Sequence, residues 1–157
     1  MNRGSFGKGS ATRPTEEATY LDLAVHGYSL ALLARAVVSV QQDVRAEPDF
    51  MLRGERVPLC DLGVLLGATA RPCLPFVIVC EADGRAAAFG VDRVGHLSRG
   101  GAPQIAAVPA FGLARPEIVA GALRHGERLL VVVSPARLID LAYELRAGFD
   151  PATTRAV

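Results

Sequence analysis

The sequence predicts an all-β protein with minor helix, folded as a small barrel or sandwich of short strands, and three observations carry that expectation. Roughly eight to ten short apolar runs follow one another, with turn signals about every 8–12 residues. Glycines stand inside one long run, at Gly90 and Gly95, where strands of small barrels bulge or bend. The one long helix signal comes last: Ser134 as N-cap, Pro135 at the first helical position and Gly148 as the stop. Two linked small barrels account for so many short strands in a chain of 157 residues.

Residues 1–17 are rich in Gly, Ser, Thr, Arg and Glu and poor in apolar side chains, so they are expected to form a disordered tail ahead of a single domain over 18–147, with a polar tail over 148–157. From Thr19 the apolar residues alternate. Tyr20 to Val25 and Tyr28 to Leu32 flank His26-Gly27, a hairpin signal. Leu33-Ala34-Arg35 reads as either a helical turn or a bulge, and Ala36 to Val40 as a further strand. Gln41 to Met51 is polar, contains Pro48 and reads as a loop.

Leu52 to Gly67 is the densest stretch. An Arg53-Gly54 turn leads into a strand over Val57 to Cys60, Asp61 stands as an N-cap, Leu62, Leu65 and Leu66 follow with helical spacing, and Gly67 is the stop. Ala68 to Pro75 reads as a loop, Phe76 to Glu81 as an apolar strand, Ala82-Asp83-Gly84 as a turn and Arg85 to Leu97 as one long strand. Ser98 to Pro103 is a Gly-rich loop, Ile105 to Val108 a short strand and Ala110 to Pro116 a loop. Ile118 to Leu123 and Leu129 to Val133 form a last hairpin before the helix.

Composition narrows the function classes. Seventeen basic against sixteen acidic residues, interspersed, leave no basic footprint for nucleic acid. The longest apolar runs, Phe76 to Cys80 and Leu129 to Val133, are about five residues against the roughly 20 that span a bilayer, so direct membrane insertion is not expected. Arg3 and Lys8 have no apolar stretch behind them, unlike a signal peptide. Cys60, Cys73 and Cys80 are odd in number and lack zinc-ligand spacing, which fits a reduced, cytoplasmic setting. Half of the chain is hydrophobic and its mean hydropathy is +0.28, so apolar surface for a partner is expected.

No catalytic, cofactor or metal site is expected. Asp92 and Arg93 are adjacent on a strand and point to opposite faces, so Asp92 is expected to hold a turn or a backbone group. His26, His96 and His125 sit at turns or strand ends and read as surface residues. Cys60 and Cys80 read as buried small hydrophobes, whereas Cys73 lies near Arg71, which can lower a thiol pKa. A small β-barrel enzyme or ligand-binding protein using Cys73 or Asp92 is the alternative class.

Taken in order, these stretches resemble the CheW family, the adaptors of bacterial chemosensory arrays. The resemblance rests on the hairpin with Gly27-Tyr28, on Leu52-Arg53-Gly54 with Val57-Pro58-Leu59, Asp61-Leu62 and Leu66-Gly67, and on Val77-Ile78-Val79. It continues through Phe89-Gly90-Val91-Asp92-Arg93-Val94-Gly95, Ile105 to Pro109, Gly121, Leu130 to Val133 and Pro135 to Leu138, and so covers Thr19 to Leu141. It implies two intertwined five-stranded SH3-like barrels plus a C-terminal helix and a groove between the barrels, with no catalysis. The partners it implies are the regulatory domain of a CheA-type histidine kinase, the cytoplasmic tip of a chemoreceptor, and other CheW-like domains, with recruitment to receptor arrays through them.

Partner-binding residues follow by position in the resemblance. Arg53 is the expected receptor contact in the Leu52-Arg53-Gly54 turn, with Gly54 there for a positive φ. Val37 and Val38 are core residues or line the groove. This chain departs from the family pattern in two places: Gln41 to Met51 is short, with Met51 where the family has Asn, and the family's acidic residue near the end of the second strand falls on or beside the apolar Val37. A specialised adaptor that keeps one of the two partner interfaces is therefore a second expectation within the class.

Overall fold

The structure is a computed structural model that describes residues 18–100, 116–125 and 127–148. Ten strands form two five-stranded sheets, the first ordered β8-β1-β2-β10-β9 and the second β3-β6-β7-β5-β4. The first sheet takes β1 (Ala18–Val25), β2 (Tyr28–Leu33), β8 (Arg93–Gly100), β9 (Val119–His125) and β10 (Arg128–Val133). The second takes β3 (Val37–Arg45), β4 (Asp49–Leu52), β5 (Glu55–Asp61), β6 (Cys73–Ala82) and β7 (Arg85–Val91). The chain thus enters one sheet, builds the whole of the other and returns, which makes the halves intertwined. Each sheet contains one parallel pair, β10 with β2 and β5 with β7. The all-β expectation with minor helix holds, including two short barrels and a C-terminal helix.

Three hairpins share one device. His26-Gly27, Arg53-Gly54 and Asp83-Gly84 are two-residue turns in which both residues have positive φ, as a type I′ turn requires. The non-glycine member accepts φ between 50° and 54°, and glycine takes the second position, where a Cβ would be strained.

Alternation along each strand then feeds two kinds of core. Leu21, Leu23, Leu30, Leu32, Val131 and Val133 of the first sheet and Ile78, Cys80, Phe89 and Val91 of the second meet in one central cluster. Residues between them in sequence turn the other way. Leu59, Leu74, Val77, Val79 and Ala88 close the interior of the second barrel, and Tyr20, Ala31, Leu130 and Val132 that of the first. Two helices complete the central cluster. In α1 (Leu62–Leu65), Asp61 caps the first turn by accepting from the Gly63 N–H at 2.9 Å, and Gly67 follows with φ 105°. In α2 (Pro135–Gly148), Leu138, Ile139, Leu141 and Ala142 face the core, and the Ser134 Oγ accepts from the Arg137 N–H at 3.3 Å.

Several boundaries differ from the sequence reading. Gln41 to Arg45 is not loop but the second half of β3, and Asp49 to Leu52 is β4, so the connection is only Ala46 to Pro48. β3 is an edge strand, and its polar, exposed side chains hide it from a hydrophobic pattern while its backbone pairs with β6. β6 likewise begins at Cys73, three residues before the apolar run. The long strand over Arg85 to Leu97 is two strands in different sheets, broken at Asp92, and β8 runs on to Gly100. Leu33-Ala34-Arg35 resolves as a 3₁₀ turn over Ala34–Ala36, and a second 3₁₀ turn, Pro116–Ile118, precedes β9. The expected N-terminal tail, the C-terminal tail beyond residue 148, the Ser98 to Pro103 loop beyond residue 100, the strand at Ile105 to Val108 and the Ala110 to Pro116 loop up to residue 115 lie outside the described residues.

Candidate partner-binding surface

β4 and β5 form a ladder with Leu52 opposite Glu55, so the Arg53-Gly54 turn projects from the end of the second barrel. Arg53 has φ 50° and Gly54 φ 84°, the positive value that the glycine was expected to supply. The Arg53 side chain is 65% exposed and its Nη2 lies 2.5 Å from Glu81 Oε2 at the end of β6. Leu52 is half-buried and packs on the second barrel's interior, anchoring the turn.

β6 is what brings the candidate residues together. Its Cys80 is the register partner of Val37, and the next residue, Glu81, takes Arg53. Val37 is half-buried against the central cluster. Val38 sits where the β3–β6 register shifts and is exposed, and Val40, two residues on, is exposed at 44%. Both valines lie on a sheet edge, where one side of the backbone has no strand partner among the described residues.

Beside the turn lies a polar cleft of about 310 Å³ lined by Arg53, Glu55, Arg56, Glu81, Arg85 and Tyr143. Arg85 pairs with Asp140 of α2 and stacks over the Tyr143 ring at 4.7 Å, and the Tyr143 hydroxyl donates to the Ala86 carbonyl at 3.0 Å. Sequence reasoning missed Glu81, Arg85 and Tyr143. The alternation of Val38 with Val40 was the one available signal for the exposed edge.

A second polar cluster joins the two sheets. Arg71 reaches Asp61 from Nε to Oδ2 at 3.0 Å and from Nη2 to Oδ1 at 3.3 Å, and its Nη1 lies 2.7 Å from Asp92 Oδ1. Asp92 Oδ2 in turn accepts from the His26 N–H at 2.8 Å, and the Asp92 N–H donates to the Ala24 carbonyl at 3.0 Å. Asp92 therefore holds a backbone group at the crossover between sheets, as its place in the sequence suggested. Partial burial works against its carboxylate, but the His26 N–H and Arg71 outweigh it and hold its carboxyl below the ordinary range.

Arg71 is engaged by two carboxylates, so its charge is already neutralised beside Cys73. That cysteine is exposed, while burial pushes the thiol of Cys60 up to about 11 and that of Cys80 up to about 12. His26 and His96 are exposed, and the side chain of His125 lies outside the described residues. Among the described residues no three His, Cys, Asp or Glu side chains are grouped to hold a metal ion, and no helix is long and apolar enough to cross a membrane.

The model of the CheW-like domain matches residues 36–142, more than half of the chain. The chain belongs to the CheW-like family. Among solved structures it is similar to the scaffolding protein TtCheW from Thermoanaerobacter tengcongensis, with a TM-score of 0.61 at 17% identity over 75% of this chain and 89% of that one. At that identity the likeness is one of fold, and it matches the two-sheet architecture. No curated protein matches the chain by sequence.

Proposed function

We propose that this CheW-like protein is a non-catalytic adaptor that couples chemoreceptors to a CheA-type histidine kinase, working in the cytoplasm and drawn to receptor arrays by its partners. The observation that carries the reading is the Leu52-Arg53-Gly54 turn. A two-residue hairpin holds an exposed guanidinium at the end of a barrel, one β6 residue away from the partner of Val37, after which the edge is exposed at Val38 and Val40. Arginine on a preorganised turn, next to an apolar strand edge, supports docking of an extended or helical protein surface.

The short Ala46 to Pro48 connection favours a second reading in the same class, an adaptor that engages only one partner. Separate titrations against the kinase regulatory domain and a receptor tip fragment decide between them. Micromolar binding to both is expected. Binding to one alone selects the specialised adaptor, and binding to neither defeats both readings. Arg53→Glu is expected to weaken the receptor arm at least tenfold with an unchanged melting temperature, because the ion pair it removes is exposed. Unchanged affinity in that variant removes Arg53 from the interface.

A further inference from the structure

α2 covers the outer face of the second barrel only in part. Its contacts fall mainly on β5, β6 and β7, and β4 lies beyond β5 at the edge of the sheet. Phe50 and Leu52 of β4 turn into the barrel, so by alternation Asp49 and Met51 turn outward, and Met51 is 60% exposed. Between the last turns of α2 and the β4–β5 ladder a groove of about 450 Å³ is left, lined by Pro48, Pro58, Cys60, Ala142 and Leu145. Arg146 bridges it, with its guanidinium 5.9 Å from the Tyr143 ring centre and its Nε 3.5 Å from Asp49 Oδ1.

The periodicity of α2 says which residue comes next along this groove. Ala142 is fully buried and Leu145, three residues on, is 38% exposed, so the apolar stripe of the helix loses its cover as it enters the groove. A step of about 100° per residue puts position 149 about 20° from Ala142 and about 40° from Leu145 around the helix axis. The sequence has Phe149 there, and α2 is helical through Gly148, directly before it. A helical side chain leans toward the N-terminus and covers the turn before its own Cα, which here holds Leu145 and Arg146. Asp150-Pro151 follows, and a residue before proline is turned away from helical dihedrals, so the helical pattern ends at the groove rather than beyond it.

We propose that the groove is the docking site of this chain's own segment after α2, with the Phe149 ring inserted between Leu145 and the two prolines, Pro48 and Pro58. An aromatic ring against leucine and proline takes from water the apolar surface that α2 and β4 leave uncovered. Asp150, next in the chain, brings a carboxylate toward Arg146, whose side chain is 39% exposed beside Asp49. A second copy of the chain is the weaker occupant, because it competes with an aromatic residue tethered one step from the groove and so present at high effective concentration. Seated there, the segment shields the half-buried Cys60 and closes the outer face of β4 to other chains. The Arg53 turn, at the opposite end of the β4–β5 ladder, stays open.

The test is nuclear magnetic resonance on the full chain, with isotope-labelled and unlabelled protein mixed so that contacts within one molecule and between molecules are told apart. Nuclear Overhauser contacts from the Phe149 ring to Pro48 or Pro58 are expected within one molecule. Contacts to Leu145 without either proline overturn the proposal, and so do proline contacts found only between molecules. Thiol alkylation gives a second measurement, made in the Cys73→Ser protein, where the remaining Cys80 is fully buried. Phe149→Ala is expected to raise the rate of Cys60 modification by iodoacetamide by about threefold or more, and Phe149→Leu to keep it close to that of the parent. Equal rates in the parent and both variants overturn the proposal.

Discussion

The interior of the second barrel is mainly apolar, with Leu59, Leu74, Val77, Val79 and Ala88 sealed by Phe50, Leu52 and Val44, whereas the first barrel is apolar around Tyr20, Ala31, Leu130 and Val132 and opens on Asp22, Ser29 and Arg128. Both sheets have five strands, and both give their other face to one shared central core. The same architecture therefore supports two interiors of different chemistry. The polar residues of the first barrel are gathered at its mouth, outside the central core.

The largest effects are expected where packing is tightest. Leu74 is 1% exposed and its side chain lies over Gly90, where an added Cβ would meet Leu74 Cδ1 at 2.8 Å and Cδ2 at 2.9 Å. Leu74→Ala is expected to cost about 2–5 kcal/mol by leaving a cavity. Gly90→Ala overpacks the same spot and costs about 1–3 kcal/mol. In the double variant the new methyl enters the space that Leu74 vacated, so denaturant unfolding should show a total loss well below the sum. Additive losses would mean that the two positions do not share a packing site, and the contrast between the barrels would lose its clearest instance.

A smaller effect tests what joins the barrels. Arg71→Met removes the cation between Asp61 and Asp92 and leaves Asp61, 11% exposed, without its bidentate partner. A loss of about 1–2 kcal/mol at neutral pH is expected, moderated because Arg71 and Asp92 are partly solvated. The pH dependence has a definite sign. Asp92 is held below its ordinary value of 3.8, so the folded state is favoured above that pH, and the stabilisation is lost as pH falls through the folded value. The gap between wild type and Arg71→Met should therefore close in acid. A gap independent of pH would assign the loss to packing of the arginine stem instead.

Much of this was legible before the structure. The hairpins announced themselves as His26-Gly27, Arg53-Gly54 and Asp83-Gly84, and Asp61 with Gly67 framed a helix of a single turn. What stayed hidden has physical causes. β3 beyond Val40 is a polar edge strand, held by backbone bonds to β6 that leave no hydrophobic signature. The break at Asp92 stayed hidden because strand continues directly on both sides of it, buried in β7 and largely exposed in β8, and only the pairing shows that the two belong to different sheets. Of the five expected partner residues, two lie on β3, one at the end of β4 and two in the β4–β5 turn, yet the link between the two groups is Glu81, whose register no local pattern encodes. The Arg71 cluster and the Asp22 cleft are long-range assemblies of the same kind.

The smallest stability effect is expected at Asp22, and its sign is the informative part. Charged groups buried without full pairing generally destabilise, and their replacement by apolar residues of similar volume is neutral or favourable. Asp22→Leu removes an Oδ1 that has no partner among the described residues and continues the apolar face begun by Tyr20, while Arg128 is exposed enough to be hydrated alone. A gain of about 1 kcal/mol is expected on denaturant unfolding. Stability gained would show that the first barrel's mouth is kept polar at the expense of the fold, which is the difference from the second barrel restated as energy. A loss of stability instead would mean that Asp22 holds in place Arg128 and β8, whose pairing with β1 shifts register at Asp22, and the two interiors would then differ in the means by which each is stabilised.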